Sequence, residues 1–438
     1  MKIEPKNVRK ILDRNILADG FEPIIDLNKS HGSYLVDQRN GDEYLDMFSM
    51  YASGAVGYNH PYILKHKDIL GDIAVNKTTL SDIYNVYYAD FIETFSKYAM
   101  PDYLSKVFFI DGGSLAVENA LKAAFDWKKR KNLKSGFKQE GDKVIYFNQS
   151  FHGRSGYTLT LTNTSDPRKT MYFPKFPWFK VDNPKLSFPI NNDILADVAG
   201  KEKKVINHIN NIISENPNDV AAIIIEPIQG EGGDNHFRND FMVKIREICD
   251  NNDIIFILDE VQTGIGITGK MWAHEHFSVK PDIISFGKKT QVCGMMASNR
   301  IYEFDKNVFK ESSRINSTFG GNLVDMYRFK LILEIMCNEN LFSNVQEMGH
   351  HLLEQINRLA DQFPGYVTNP RGQGLFCAFD LPSTIERDKM IAELLDRKLI
   401  ILGSGDNSIR FRPHLNVAKQ DIDIAIEKIT DVIQLMLN

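Results

Sequence analysis

The sequence predicts an α/β fold: a mostly parallel sheet covered by helices, with a smaller α+β part attached. Three observations predict it. Short runs through the middle of the chain are apolar throughout rather than in alternation, as strands buried on both faces are. Segments with helical spacing lie between several of them. After "STFGGN" (317–322) the pattern changes to long helical stretches followed by short strands, which marks a second, smaller unit.

Taken in order, "KVFFID" (106–111) reads as a strand and runs straight into "GGSLAVENALKAAFDWKKRK", a helix by its apolar spacing. Further strands are expected at "KVIYFN" (143–148), "VAAIIIEP" (220–227), "DIIFILDE" (253–260) and "DIISFG" (282–287), with "NDFMVKIREICDNN" a helix among them. The basic run "KKRKNLK" (128–134) closes the first helix and reads as a solvated face favoured by the helix dipole. From Ser165 to Pro189, prolines alternate with Tyr172, Phe173, Phe176, Trp178 and Phe179, which predicts a long ordered loop rather than a linker. Helices are expected over 323–339 and 344–362, and short strands at "GLFCAFDL" and "SIRFRP".

Composition excludes several classes. The 438 residues suffice for two or three domains and a large core. A net charge of −5 and a pI near 6.2 leave no basic face, so no nucleic-acid partner is expected. Cys249, Cys293, Cys337 and Cys377 are scattered, without metal-ligand spacing, and read as reduced thiols of a cytoplasmic protein. The charged start "MKIEPKNVRKILDRN" has no apolar run, so no signal peptide is expected. No apolar stretch is long enough for a bilayer, so no membrane is expected.

Two glycine motifs mislead. "GIGITG" (264–269) matches a dinucleotide fingerprint, but Val261, Gln262 and Thr263 separate it from the preceding strand, and that motif needs the strand to enter its first glycine. "GIGITGKM" imitates a phosphate loop, but Met271 stands where Ser or Thr would hold magnesium.

One constellation fits better. Asp259, a lysine of "SFGKK", Gly112, Gly113, Phe151 and His152 all fall at or just past carboxyl ends of expected strands, where open α/β sheets bind ligands. Pyridoxal 5'-phosphate (PLP) asks for this set. Its aldehyde needs an amine, its ring nitrogen a carboxylate, its phosphate the N–H groups of a helix start, and its ring faces apolar cover.

At these residues the sequence resembles the class III (ω-amino acid) aminotransferases of PLP fold type I, over nearly its whole length. "FILDEVQTGIGITGKMWAHEHFSVKPDIISFGKK" is similar to that class's signature. "FHGRSGYTLTLTNT", "EPIQGEGGD", "FGKKTQVCG", "STFGGN" and "RFRP" are most similar to its L-lysine 6-aminotransferases. "GGSLA" (112–116) departs from the commoner Ser-Gly-Ser/Thr-Glu-Ala turn, which backbone phosphate binding tolerates.

The resemblance implies a large domain (56–322) with a seven-stranded type of sheet, and a small one from an N-terminal segment (1–55) and a C-terminal part (323–438). It makes Lys288 the lysine bonded to the cofactor and the proton carrier, and Lys289 structural. It pairs Asp259 with the ring nitrogen, brings Gln262 to the ring oxygen, stacks Phe151 on the ring and has His152 support the loop. Gly112, Gly113 and Ser114 cradle the phosphate. Thr318 reaches the phosphate of a neighbouring subunit, which implies a homodimer with shared sites. Arg154 holds the far carboxylate of either substrate, Arg410 holds the near carboxylate of 2-oxoglutarate, and Glu231 pairs with Arg410 while L-lysine is bound. The implied reaction moves the ε-amino group of L-lysine to 2-oxoglutarate. Ornithine, 4-aminobutyrate and related donors remain alternatives, because one methylene is worth only about 1–3 kcal/mol in a pocket. Met50, Val56 and Tyr157 are candidates for setting chain length.

Overall fold

A computed structural model describes residues 3–76, 82–138 and 140–438, so the first two residues of the charged N-terminal stretch lie outside it. A seven-stranded sheet forms the centre, in the order Lys106–Ile110, Cys293–Ala297, Ile283–Phe286, Ile255–Asp259, Val220–Ile225, Lys143–Phe147, Phe179–Val181. Cys293–Ala297 pairs antiparallel with both its neighbours, and the other pairings are parallel. The α/β class expected from the continuous apolar runs is therefore the one found.

Each expected strand is present and ends short of its last expected residues. Asp111, Glu260 and Gly287 lie past the ladder, where the chain turns out of the sheet. Because these strands run parallel, their carboxyl ends share one edge.

Alternation within the strands splits the core. Ala222 and Ile224 face one side with Val117, Leu121 and Trp127 of the helix Gly113–Lys134. Ile223 and Ile225 face the other with Ile209 of Asn192–Glu215 and Ile245 of Asn239–Asn251. Both faces are dry, so a strand such as Val220–Ile225 is fully buried and shows no polar alternation.

Two expectations need correction. The run 128–134 is not wholly a solvated face. Lys128 is buried, and its Nζ donates to the carbonyl of Asp253 at 2.8 Å. Burial lowers its pKa to about 8, against the pull of Asp253. The loop before Ile255–Asp259 comes down on the helix, and the lysine donates to its part-buried carbonyls. The segment 165–189 is not all loop either: Phe179–Val181 extends the sheet at its edge. A strand this short leaves little pattern to read.

"GIGITG" packs as a turn against Trp272, Met336 and Gln346, and the chain continues into a 3-10 turn, Ala273–His276. No nucleotide-binding helix follows it. The C-terminal part holds a four-stranded antiparallel sheet that includes Phe376–Asp380 and Ser408–Phe411. Tyr34–Val36, Glu43–Asp46 and Leu399–Ile400 form a three-stranded sheet in which the first and last parts of the chain meet. Among the described residues, no helix is long and apolar enough to cross a membrane.

Ser49–Ala52 winds left-handed, with φ of +42°, +53°, +58° and +66°. Such a turn is strained for residues with a side chain, so it needs outside support. Asp46 accepts the N–H groups of Phe48 and Ser49 at 2.8 and 2.7 Å. Lys289 Nζ donates to the Ala52 carbonyl at 2.8 Å.

Candidate active site

A cavity of about 600 Å³ opens at the shared carboxyl edge. It is lined by Gly112, Gly113, Ser114, Phe151 and His152 from two strand ends, and by Glu231, Asp259, Gln262 and Lys288 from three more. Residues more than 170 positions apart in the chain meet here because each strand delivers its carboxyl end to one edge. A larger cavity, about 770 Å³, is lined by Phe125, Tyr157 and Trp178. It contains none of the residues singled out for cofactor chemistry. Tyr157 belongs to that aromatic cluster, Val56 is in the core and Met50 sits exposed on the left-handed turn, so none of these lines the cavity of Lys288.

The tandem lysines divide cleanly. Lys289 is committed to Ala52. Lys288 faces the cavity in a left-handed conformation, φ +55°. Burial, then the charges of Arg410 and Arg412, lower its pKa to about 8, although Glu231 and Asp259 pull the other way. A buried amine that sheds its proton near neutrality is a nucleophile.

Asp259 is buried at the end of its strand. His152 Nδ1 lies 2.7 Å from Asp259 Oδ2, and the Val261 N–H donates to Oδ1 at 3.0 Å. The carboxylate is thereby aimed, with His152 as its brace. Glu226, which sequence reading missed, accepts the Phe151 N–H at 3.2 Å on the cavity wall. Burial, then the charge of Asp259, push its pKa well above the usual carboxylate range. Its place at the end of Val220–Ile225, beside the other strand-end residues, was the available signal.

Gln262 Oε1 accepts from Arg412 Nε and Nη2 at 3.2 and 3.0 Å, which leaves its NH₂ to donate into the cavity. Arg412 also pairs with buried Asp234 and lies over the Phe376 ring at 3.3 Å. Sequence reading missed this role, although alternation in "RFR" puts Arg410 and Arg412 on one face of the strand. Gly230 completes the fit, because a Cβ there would stand 2.1 Å from Gln262 Oε1. Gly230→Ala is expected to push the amide off Arg412 and weaken cofactor binding about tenfold, a loss of one hydrogen bond's worth. Titration of the cofactor-free variant with PLP measures it, and an unchanged affinity would remove Gln262 from the site.

The helix Gly113–Lys134 starts at Gly112, φ +101°, with no side chain capping its N–H groups. An uncapped helix start facing a cavity is suited to an anion. A Cβ at Gly113 would lie 3.1 Å from Val261 Cγ1, so Val261 closes over that turn. Ser114 Oγ accepts the Arg154 N–H at 3.1 Å.

Three expected residues do not line the cavity. Arg154 and Thr318 are exposed in the single chain. Arg410 is buried and meets the cavity through Glu231: its Nη2 is 3.2 Å from Glu231 Oε2, while its Nε and Nη1 have no partner among the described residues.

This donor set fits PLP. It provides a buried amine that holds its proton weakly, a braced carboxylate, an uncapped helix start and apolar cover from Phe151 and Val261.

Comparison with known proteins agrees. The family model described as aminotransferase class III matches residues 17–433. The L-lysine-epsilon aminotransferase of Mycobacterium tuberculosis is 46% identical over 96% of this chain and 94% of its own. That of Amycolatopsis lactamdurans is 42% identical over 97% and 95%. A solved lysine aminotransferase from M. tuberculosis superposes with a TM-score of 0.97 at 45% identity, covering 99% of this chain and all of its own.

Proposed function

The chain belongs to the class III aminotransferases and is a PLP-dependent transaminase, and from that premise we propose that it moves the ε-amino group of L-lysine to 2-oxoglutarate. The products are 2-aminoadipate 6-semialdehyde, which cyclises to the imine, and L-glutamate, formed in two half-reactions that share one pocket. The names and close similarity of the relatives support the donor. In its own geometry, the pairing of Glu231 with an Arg410 that keeps two buried N–H groups unused supports the two-substrate reading.

When bound, the cofactor supplies an electron sink for the carbon that bears the amine. The chain does the rest. Asp259, braced by His152, keeps the ring nitrogen's proton in place. Lys288 carries the proton between substrate carbon and cofactor. Gly112, Gly113 and Ser114 hold the phosphate and Gln262 the ring oxygen. In the donor half, Glu231 covers the Arg410 charge while lysine's methylene chain passes it. In the acceptor half, Arg410 turns its free N–H groups to the near carboxylate. Arg154, exposed and without an ion-pair partner among the described residues, takes the far carboxylate.

We take the enzyme to be a cytoplasmic homodimer, in which Thr318, exposed on one chain, reaches the phosphate site of its partner. The division at 55/56 and 322/323 belongs to the same reading. Mass analysis of products from L-lysine or ornithine with 2-oxoglutarate tests the donor. Glutamate and the cyclic six-carbon imine from lysine are expected, with little turnover of ornithine. Glutamate from ornithine or 4-aminobutyrate but not lysine would replace the donor.

A further inference from the structure

Glu231 is held by two cations. Its Oε2 meets Arg410, and its Oε1 is bonded by Lys169 Nζ. Lys169 ends the short turn Pro167–Lys169 in the proline-rich segment and was not among the site candidates of the sequence. The pair is only about a quarter exposed on either side (26% and 23%), drier than an ordinary surface pair. Burial pushes the Glu231 pKa up, yet Arg410 and then Lys169 hold it below the usual value, so the carboxylate is charged and bound to both.

Glu231 also stands between two cavities. One is the cavity of Lys288. The other, about 570 Å³, is lined by Lys169, Arg168, Arg387 and Gly405. The Gly405 N–H donates to the Glu231 carbonyl at 2.9 Å and fixes the backbone. The side chain can therefore turn toward the second cavity while its backbone stays in place.

The switch has a charge problem that Arg410 alone does not solve. A glutamate that leaves Arg410 for an incoming dicarboxylate becomes a half-buried, unpaired anion, which is costly. Without another partner it stays on Arg410 and competes with the substrate. Lys169 removes that competition, because an ammonium on a flexible stem can follow the carboxylate as it turns.

We propose that Lys169 is a positioning residue for the keto-acid half-reaction: it keeps Glu231 paired when that carboxylate releases Arg410 to a dicarboxylate. The proposal rests on the reading of Arg410 as the near-carboxylate site.

The test uses PLP-loaded wild-type protein and the Lys169→Met and Lys169→Arg variants. Calorimetry measures binding of glutarate, an unreactive dicarboxylate, and steady-state kinetics measure the KM for lysine. Lys169→Met is expected to bind glutarate about tenfold more weakly, with the lysine KM changed by less than about twofold, and Lys169→Arg to restore most of the loss. Unchanged glutarate binding in Lys169→Met, or equal losses for both ligands, would overturn the proposal. A wild-type protein that does not bind glutarate would overturn the Arg410 reading with it. The donor takes no part in the glutarate measurement, so a wrong donor leaves that comparison intact.

Discussion

Lys288→Met is expected to lower turnover about 10⁴-fold or more, while making the cofactor-free protein more stable. The first effect follows from losing the amine and the proton carrier together, each a large contribution. The second follows from burial. The Lys288 pKa falls from 10.5 to about 8, driven first by desolvation. A shift of that size corresponds to about 3 kcal/mol of destabilisation in the protonated state.

The sign of the pH dependence is set by which state binds the proton. Between pH 8 and 10.5 the unfolded chain keeps this proton and the folded chain has lost it. Stability therefore rises with pH across that window. The full penalty is present below pH 8 and is gone above 10.5. Urea unfolding of cofactor-free wild type and Lys288→Met should thus show the variant ahead near neutral pH and the gap closing toward the upper end of the window. A gap that does not change with pH would mean that the stability difference comes from packing and not from the charge. Product formation in a single turnover reads the catalytic effect, and substantial activity in the variant would remove Lys288 from the chemistry.

Arg410→Met is expected to separate the two half-reactions. For 2-oxoglutarate, kcat/KM should fall about 10²–10³-fold, because a buried guanidinium facing a carboxylate contributes two charge-assisted hydrogen bonds. For lysine the fall should stay below about tenfold, since in that half Arg410 meets Glu231 and not the substrate. Arg410→Lys should not rescue, because an ammonium offers no planar fork to the carboxylate. Single-turnover measurements with each substrate give the two values separately. Equal losses in both halves would mean that Arg410 holds the small sheet together, through Ser408–Phe411, rather than binding substrate.

The two variants probe residues found by different routes. Asp259 and a lysine of the Lys288-Lys289 pair were legible in the sequence because they close apolar runs, and a charge at the end of a buried strand calls for a use. Arg410 and Glu231 rested on resemblance to a family, and their contact at 3.2 Å is a finding of the structure. The tandem Lys288 and Lys289 could not be separated by local pattern. Their backbone geometry sends one to the cavity and the other to a strained turn near the start of the chain.

The basic run at 128–134 misled for a related reason. Helical spacing places Lys128 among the charged residues, but the loop at Asn252 and Asp253 comes down on it and makes it a buried donor. Glu226, Arg412 and Lys169 were missed alike. Each acts on a group far away in sequence: Glu226 on Phe151, Arg412 on Gln262, Lys169 on Glu231.

The sequence by itself determined the α/β class, the central strands and the edge at which the candidate site lies, because apolar periodicity and strand-end charges are local and survive without knowledge of neighbours. Only the tertiary structure decided which carboxylate is braced, which has its pKa raised by burial, and which cations hold Glu231. Those properties depend on burial and on side chains brought within hydrogen-bond reach by loops, and no stretch of the chain contains both partners.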